Sequence, residues 1–259
     1  MPVQLYTYFL QRRAFPESSQ VLPPPALLNG IVESCRLFDG HDGACWFSDG
    51  RPCMVFVLNE EAQVQAGWCS PQLLENVHQT TNGHALLIVR FTPTGFYRLA
   101  PAQMRLLRHQ HRWAFEELFG ENWVAALQPL RGVKQVAAQV MQLLAAQLKH
   151  PAPVPPLLEE ALQLISRAKG NIVIDDLVRQ LRLNYKWLER KCLAVTGIAP
   201  KEYARLQRFL HAWLHLVETN GQDLMGTALD HGYCDQHHFS KEFRRFTGKP
   251  PLAYLSAKQ

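Results

Sequence analysis

The sequence predicts an α+β protein: a β-rich N-terminal half with appended helices, a Pro-rich linker, and an all-α C-terminal domain with two helix-turn-helix motifs. Three observations carry this expectation. Continuous apolar runs of strand length, bounded by turn residues, occupy the first hundred or so positions. Four prolines then fall within residues 151–156. Beyond them apolar residues recur at helical spacing, and twice a short helix leads through a tight turn into a second one.

Length and composition set the frame. At 259 residues and 47% hydrophobic, the chain suits two globular domains, each able to bury a core. No run of roughly 18 uncharged apolar residues exists, so no membrane span is expected. The opening MPVQLYTYFLQRR lacks the layout of a signal peptide, and a cytoplasmic location is expected. Charge is uneven. Up to Val154 there are 12 Lys+Arg against 11 Asp+Glu; from Pro155 onward, 15 against 11. The basic excess sits with the predicted helix-turn-helix motifs, where phosphate partners would need it. Cysteines stand at 35, 45, 53, 69, 192 and 234, with no C-x-x-C pair and no zinc-finger spacing. Buried free thiols are expected, with neither metal nor cofactor.

Residues 1–150 read as strands followed by helices. Residues 5–10 form a short extended run, and residues 31–38 a second candidate strand. Cys53-Met54-Val55-Phe56-Val57-Leu58 and Ala85-Leu86-Leu87-Ile88-Val89-Arg90-Phe91 are the strongest strands, with patterns of burial on both faces. Such pieces suggest a small barrel or sandwich. From Pro101 the period turns helical, through Phe115, Leu118 and Phe119, then Trp123 and Leu127. The stripe Val136, Val140, Leu143, Leu144 and Leu148 marks the clearest helix of this half. It either docks on the β-domain or pairs two subunits as a homodimer; docking is the commoner use.

The linker, residues 151–156, should be an extended, semi-rigid spacer. After it, residues 157–259 read as one helical domain. Leu158, Ala161, Leu162 and Ile165 form the inner face of its first helix. The first helix-turn-helix spans 175–195, with Asn184 as N-cap of its second helix. Residues 201–218 form a long connecting helix with Leu206, Leu210, Trp213 and Val217 as its buried stripe. His211 and His215 stand four apart, but no third metal ligand is evident, and they read as an exposed pair. The second helix-turn-helix spans 223–246. Leu224, Ala228 and Leu229 face inward on its first helix, Gly232 makes the turn, and Asp235 caps the next helix. That helix carries Phe239, Phe243 and Phe246 on one side and His237, Ser240, Lys241 and Arg244 on the other.

The run Ala228-x-x-x-Gly232-Tyr233-x-Asp235-Gln236-x-x-Phe239-Ser240-x-x-Phe243, then Arg245-Phe246-Thr247-Gly248-x-x-Pro251-x-x-Tyr254, resembles the C-terminal signature of AraC/XylS-type transcription regulators. The first motif resembles it too, through Asp176-Leu177, Leu188-Glu189-Arg190 and Thr196-Gly197-x-x-Pro200-x-x-Tyr203. It departs in two places. Arg182 stands where the turn usually has Gly, and Cys192 where a Phe usually anchors the helix, so the first motif should be held less rigidly than the second. More loosely, Trp46-Phe47-x-Asp49-Gly50-x-Pro52 and Val89-Arg90-Phe91-x-Pro93-x-Gly95 are similar to the cupin-like N-terminal domain of one AraC subgroup. His41, His78 and His84 are isolated, which disfavours a metal-using cupin.

The resemblance implies double-stranded DNA as partner, read by two helices of one subunit. By family position the base-reading candidates are Lys186, Glu189 and Arg190 in the first helix, and Gln236, His237, Ser240 and Lys241 in the second. Arg190 and Lys241 suit guanine O6/N7, and Gln236 suits adenine. Glu189 can only accept, which points to cytosine N4 or, the preferred reading, to a salt bridge orienting Arg190. Arg244 and Arg245 are expected to clamp phosphates. By the same resemblance the protein is an activator contacting RNA polymerase, with an N-terminal half that senses a small-molecule effector or dimerises, and is not an enzyme. The competing reading is a cupin-like enzyme or alkyl-transfer protein with an appended DNA-binding module.

Overall fold

The computed structural model describes residues 23–38, 50–70, 84–107, 113–219 and 221–256. The candidate strand at 5–10, the Trp46-Phe47 motif, Cys45, His41 and His78 lie outside them, as do the side chains of Val217 and Tyr254.

The N-terminal half is an antiparallel sheet with strand order β1-β4-β2-β3, where β1 is Val32–Phe38, β2 Cys53–Leu58, β3 Val64–Ser70 and β4 Ala85–Phe91. The two apolar runs singled out in the sequence are its central pair, in register from Cys53 opposite Arg90 to Leu58 opposite Ala85. Both are buried nearly throughout, because central strands covered on both faces need no polar alternation. A 3-10 turn, Ala26–Leu28, precedes β1. Short helices follow β4: α1 (Gly95–Leu99), α2 (Gln103–Leu107), α3 (Phe115–Phe119) and α4 (Trp123–Leu127). The longer α5 (Val133–Gln147) closes the half. An aromatic ladder joins sheet to helices: Phe56 lies 5.1 Å from Phe115, which stacks at 5.5 Å on Trp123, itself stacked at 4.8 Å on Phe119. The apolar stripe of α5 faces inward, with Val136, Val140 and Leu144 fully buried in the same core as the sheet.

Residues 151–155 carry no regular secondary structure and are tethered. The Ala152 amide donates to the Arg98 carbonyl at 2.9 Å, and Val154 is buried among the C-terminal helices. Pro156 then opens α6 (Pro156–Arg167), where its missing N–H would have had no helical acceptor anyway. Next come α7 (Ile174–Gln180), α8 (Tyr185–Thr196), the long α9 (Pro200–Glu218), α10 (Leu224–Asp230), α11 (Gln236–Thr247) and α12 (Pro251–Ser256). Two cores form on opposite ends of α9. One gathers Leu158, Ile165, Leu177, Leu188, Cys192 and Tyr203; the other gathers Phe209, Trp213, Ala228, Tyr233, Phe239 and Phe243.

The two halves touch at α1 and α6, where Arg98 donates to Glu159 at 2.6 Å, and at the turn before β2. There Gly50, at φ +77°, lies so close to the α8–α9 connection and α9 that an added Cβ would sit 2.5 Å from Ile198 Cδ1 and 3.1 Å from Leu206 Cδ2. Beside it the buried Arg51 donates to Glu33 at 2.5 Å and faces the Tyr203 hydroxyl, while Arg90 pairs with Glu33 at 3.2 Å. Burial pushes the Glu33 carboxyl up, but Arg51 and Arg90 outweigh it and hold the pKa below the ordinary value. A depressed pKa gives stability that is full above the unfolded value, ~4.3, and lost as pH falls through the folded one. Glu33→Gln should therefore cost on the order of 3 kcal/mol at pH 7. In urea denaturation the gap to wild type should close as pH falls below 4.

Candidate nucleic-acid interface

The two helix-turn-helix motifs are local copies of one design. In α7 and its turn, Arg182 donates its amide to Arg179 O and Leu183 to Val178 O, at 3.2 and 2.9 Å. After α10 the same bonds run from Gly232 to Leu229 O and from Tyr233 to Ala228 O, at 3.0 and 2.9 Å. Both turns need a left-handed residue. Gly232 takes φ +74° without a Cβ penalty, and an added Cβ would meet the Asn171 side chain at 2.3 Å. Arg182 takes φ +52° with one, the strain its sequence position implied. Each recognition helix then starts on a side-chain cap. Asn184 Oδ1 accepts from the Lys186 and Trp187 amides, and Asp235 Oδ1 accepts from the His238 amide at 2.7 Å. The helices end alike as well: Thr196 and Thr247 hydroxyls donate to the carbonyls four residues back, and Gly197 and Gly248 cap in the left-handed region.

Burial separates the faces of α11. Phe239 and Phe243 are fully buried, against Tyr233 at 5.0 Å and Trp213 at 5.2 Å. Phe246 stacks on Phe209 at 4.7 Å. On the opposite side Gln236, His237, Lys241 and Arg244 are exposed, and Ser240 is half-buried. On α8, Lys186 and Arg190 are exposed while Leu188 and Cys192 are buried. The result is two short, capped helices, each presenting cations and hydrogen-bonding groups outward.

Two expectations, for Glu189 and Leu229, need correction, and Arg245 has a partner on α9. Glu189 is half-buried and accepts from the Tyr185 hydroxyl at 3.3 Å, a partner one turn earlier on α8, instead of orienting Arg190. Arg245 reaches back to Glu202 on α9 at 3.1 Å, so it fastens helices together before it meets any phosphate. Leu229, expected inside, is 51% exposed.

The residue the sequence reading missed is Glu242. Its side chain is buried, and its carboxylate accepts from Tyr233 Oη at 2.9 Å, Arg205 Nε at 2.9 Å and an Arg208 nitrogen at 3.5 Å. Arg208 also lies over the Tyr233 ring at 4.7 Å. Arg205 extends the chain of bonds to Glu202, which holds Arg245. One carboxylate thus ties α11, its preceding turn and α9 together. Burial, then Glu242, drives the Tyr233 phenol well above its ordinary pKa, so it stays a donor. A signal existed: Phe239, Glu242, Phe243 and Phe246 follow the i, i+3, i+4, i+7 spacing of an inner face.

The histidine pair also differs. His211 is 6% exposed, and His215 Nδ1 lies 3.2 Å from His231 Nε2 in the second turn. Burial first, then neighbouring cations, brings His211 and His231 down to about 4. Cys35, Cys53, Cys69 and Cys192 are buried, and burial pushes Cys35, Cys53 and Cys192 up to about 12 and Cys69 well above its ordinary value. Those four are protonated at neutral pH and unsuited to thiolate chemistry. Cys234, by contrast, is exposed.

The family pattern described as a helix-turn-helix domain matches residues 177–257, from inside α7 to the end of the described chain. Residues 177–257 are a helix-turn-helix domain of the AraC type. The AraC-type domain accounts for both motifs and the connecting helix, and its coarse function is DNA binding in transcription regulation. No curated protein matches the chain. Among solved structures the chain is similar to ToxT from Vibrio cholerae, at 13% identity over 86% of this chain and 93% of that one, with a TM-score of 0.42. It is also similar to ToxT from Vibrio cholerae O395 bound to (E)-4-(8-methylnaphthalen-1-yl)but-3-enoic acid, at 12% identity over 82% and 89%, with a TM-score of 0.39. No described helix is long and apolar enough to cross a membrane.

Two substitutions probe how the second motif is held. Glu242→Gln should destabilise by about 3 kcal/mol, at the low end of a broken buried pair because Arg205 stays one-third exposed. Gly232→Ala should cost more than about 1 kcal/mol through φ and the Asn171 clash. Denaturant midpoints of the two variants measure both.

Proposed function

We propose that the chain is a sequence-specific transcription regulator, an activator, whose single subunit lays α8 and α11 in successive major-groove segments of one duplex face. The observation that carries this is the segregation on α11: Phe239 and Phe243 fully buried, and Gln236, His237 and Lys241 exposed on the opposite side. A helix of about 10–12 Å diameter fits the major groove, and the two motifs repeat with their exposed faces built alike.

Roles follow from donor chemistry and exposure. Lys241 and Arg190 occupy matching places in the two helices and suit guanine edges; Gln236 suits adenine. Lys186, His237 and Ser240 complete the base-facing set, with Glu189 limited to accepting from cytosine N4 or staying on Tyr185. Arg244 sits in the last turn of α11, exposed, and serves a phosphate; Arg245 does so only by leaving Glu202. The N-terminal half is the regulatory half in this reading. It reaches the first motif through Arg98–Glu159 and the Gly50–Arg51 turn, so a small-molecule effector or a second subunit bound there would bias α8. Recruitment of RNA polymerase goes with the AraC resemblance. Residues 1–150, the 151–156 linker and 157–259 are the corresponding functional units.

Binding assays on substituted operators test the assignment. Lys241→Ala should lose roughly 1–3 kcal/mol of discrimination at one base pair and leave the others unchanged. Arg244→Ala should weaken all sites alike and reduce the salt slope by about one. Unaltered discrimination in Lys241→Ala would reject α11 as a base reader.

A further inference from the structure

We propose that His215 and His231 form a binding site for one divalent transition-metal ion of the zinc, nickel or copper class, which fastens α9 to the turn ahead of recognition helix α11. The observation is geometric. His215 Nδ1 and His231 Nε2 lie 3.2 Å apart, on rings inclined at 65° with centroids 5.3 Å apart. Two metal–nitrogen bonds of about 2.05 Å spanning that gap subtend roughly 100°, close to the tetrahedral angle zinc adopts. The pair is brought together by the fold, not by local spacing: His215 belongs to α9, and His231 caps α10 sixteen residues later.

A contact between two neutral imidazole nitrogens holds one proton. A metal takes its place when the donating ring shifts to its other tautomer and both rings tilt by roughly 40° to aim their lone pairs at an ion off the N–N line, with no proton released. Among the described residues no cluster of three or more His, Cys, Asp or Glu is assembled for a metal, so water completes the coordination.

Neighbouring charge selects the class of ion. Lys169 faces His211 and His231 and repels a cation, while Asp230 and Glu218 offset it. An ion held by charge alone, such as magnesium or calcium, gains little here. Ions that bond well to imidazole, with copper(II) ahead of nickel and zinc, are favoured. Their effect is mechanical. The bridge joins the helix carrying Arg205 and Arg208 to the turn carrying Tyr233, so the bound ion stabilises the second motif alongside Glu242.

The test is calorimetric titration of the full chain, freed of any affinity tag, with zinc chloride and with copper sulfate in a non-chelating buffer. Wild type should bind one ion per chain, and His215→Gln and His231→Gln should each weaken binding about tenfold or more. His150→Gln, at an exposed histidine far along the chain, should leave it unchanged. Zinc should raise the melting temperature of wild type and not of the two pair variants. Copper electron paramagnetic resonance of wild type, which needs no variant to fold, should show coupling to at least two imidazole nitrogens. Binding that survives in both pair variants, that disappears with His150→Gln, or that is absent in wild type would overturn the proposal and leave the pair as a hydrogen bond between neutral rings.

Discussion

Everything about the second reading helix depends on a carboxylate that water does not reach. Glu242 sits on the inner face of α11 among Tyr233, Arg205 and Arg208, and each of those partners belongs to a different part of the scaffold from Glu242 itself. Burying such a charge is costly unless its acceptor sites are filled, and here three donors fill them. The arrangement fixes more than distance. Aromatic packing alone, Phe239 and Phe243 on Tyr233, Trp213 and Phe209, would tolerate a helix that rolls slightly about its axis. A carboxylate bonded to three directional donors does not. In the proposed base-reading role donors must meet base edges at hydrogen-bond tolerance, so the roll of α11 is the quantity to be set.

The two motifs solve the same problem with different materials. In the second, the turn is a glycine, the anchors are phenyl rings and a buried ion network closes the back. In the first, Arg182 holds the strained turn, Leu188 and Cys192 fill the space of phenylalanines, and α8 carries Lys191 one residue before Cys192, where α11 carries Glu242 before Phe243. The N-terminal half presses on the first motif, through Gly50 against Ile198 and Arg51 beside Tyr203. The motif with the strained turn, and with Leu188 and Cys192 in place of phenyl anchors, is therefore the one nearest the other half of the protein.

Much of this was legible in the residues. The apolar strands Cys53–Leu58 and Ala85–Phe91, the Asn184 and Asp235 caps, the Gly232 turn and the phenylalanine stripe all follow from local periodicity and local hydrogen bonding, and they stand where the sequence put them. What stayed hidden depends on partners distant in the chain. Tyr203 and Phe209 were absent from the expected stripe of α9, because a helix gripped by two cores buries more than one face. Arg205 and Arg208 meet Glu242 more than thirty residues on, a pairing no local spacing shows. His231 was an unremarked turn residue until α9 placed His215 against it. The Arg51–Glu33–Arg90 cluster needed strand register to exist at all. Local rules found the helices and their outward faces; only the tertiary structure shows how those faces are held.

In the proposed function one chain presents two groove-reading helices in fixed relation to each other. Hydroxyl-radical footprinting of the purified full chain on a selected operator puts that to the test. Two protected patches are expected on one face of the duplex, centred about one helical turn (~34 Å) apart, at a stoichiometry of one chain per pair of patches. A single protected patch per chain, or even protection along the duplex with no preferred sequence, would contradict it.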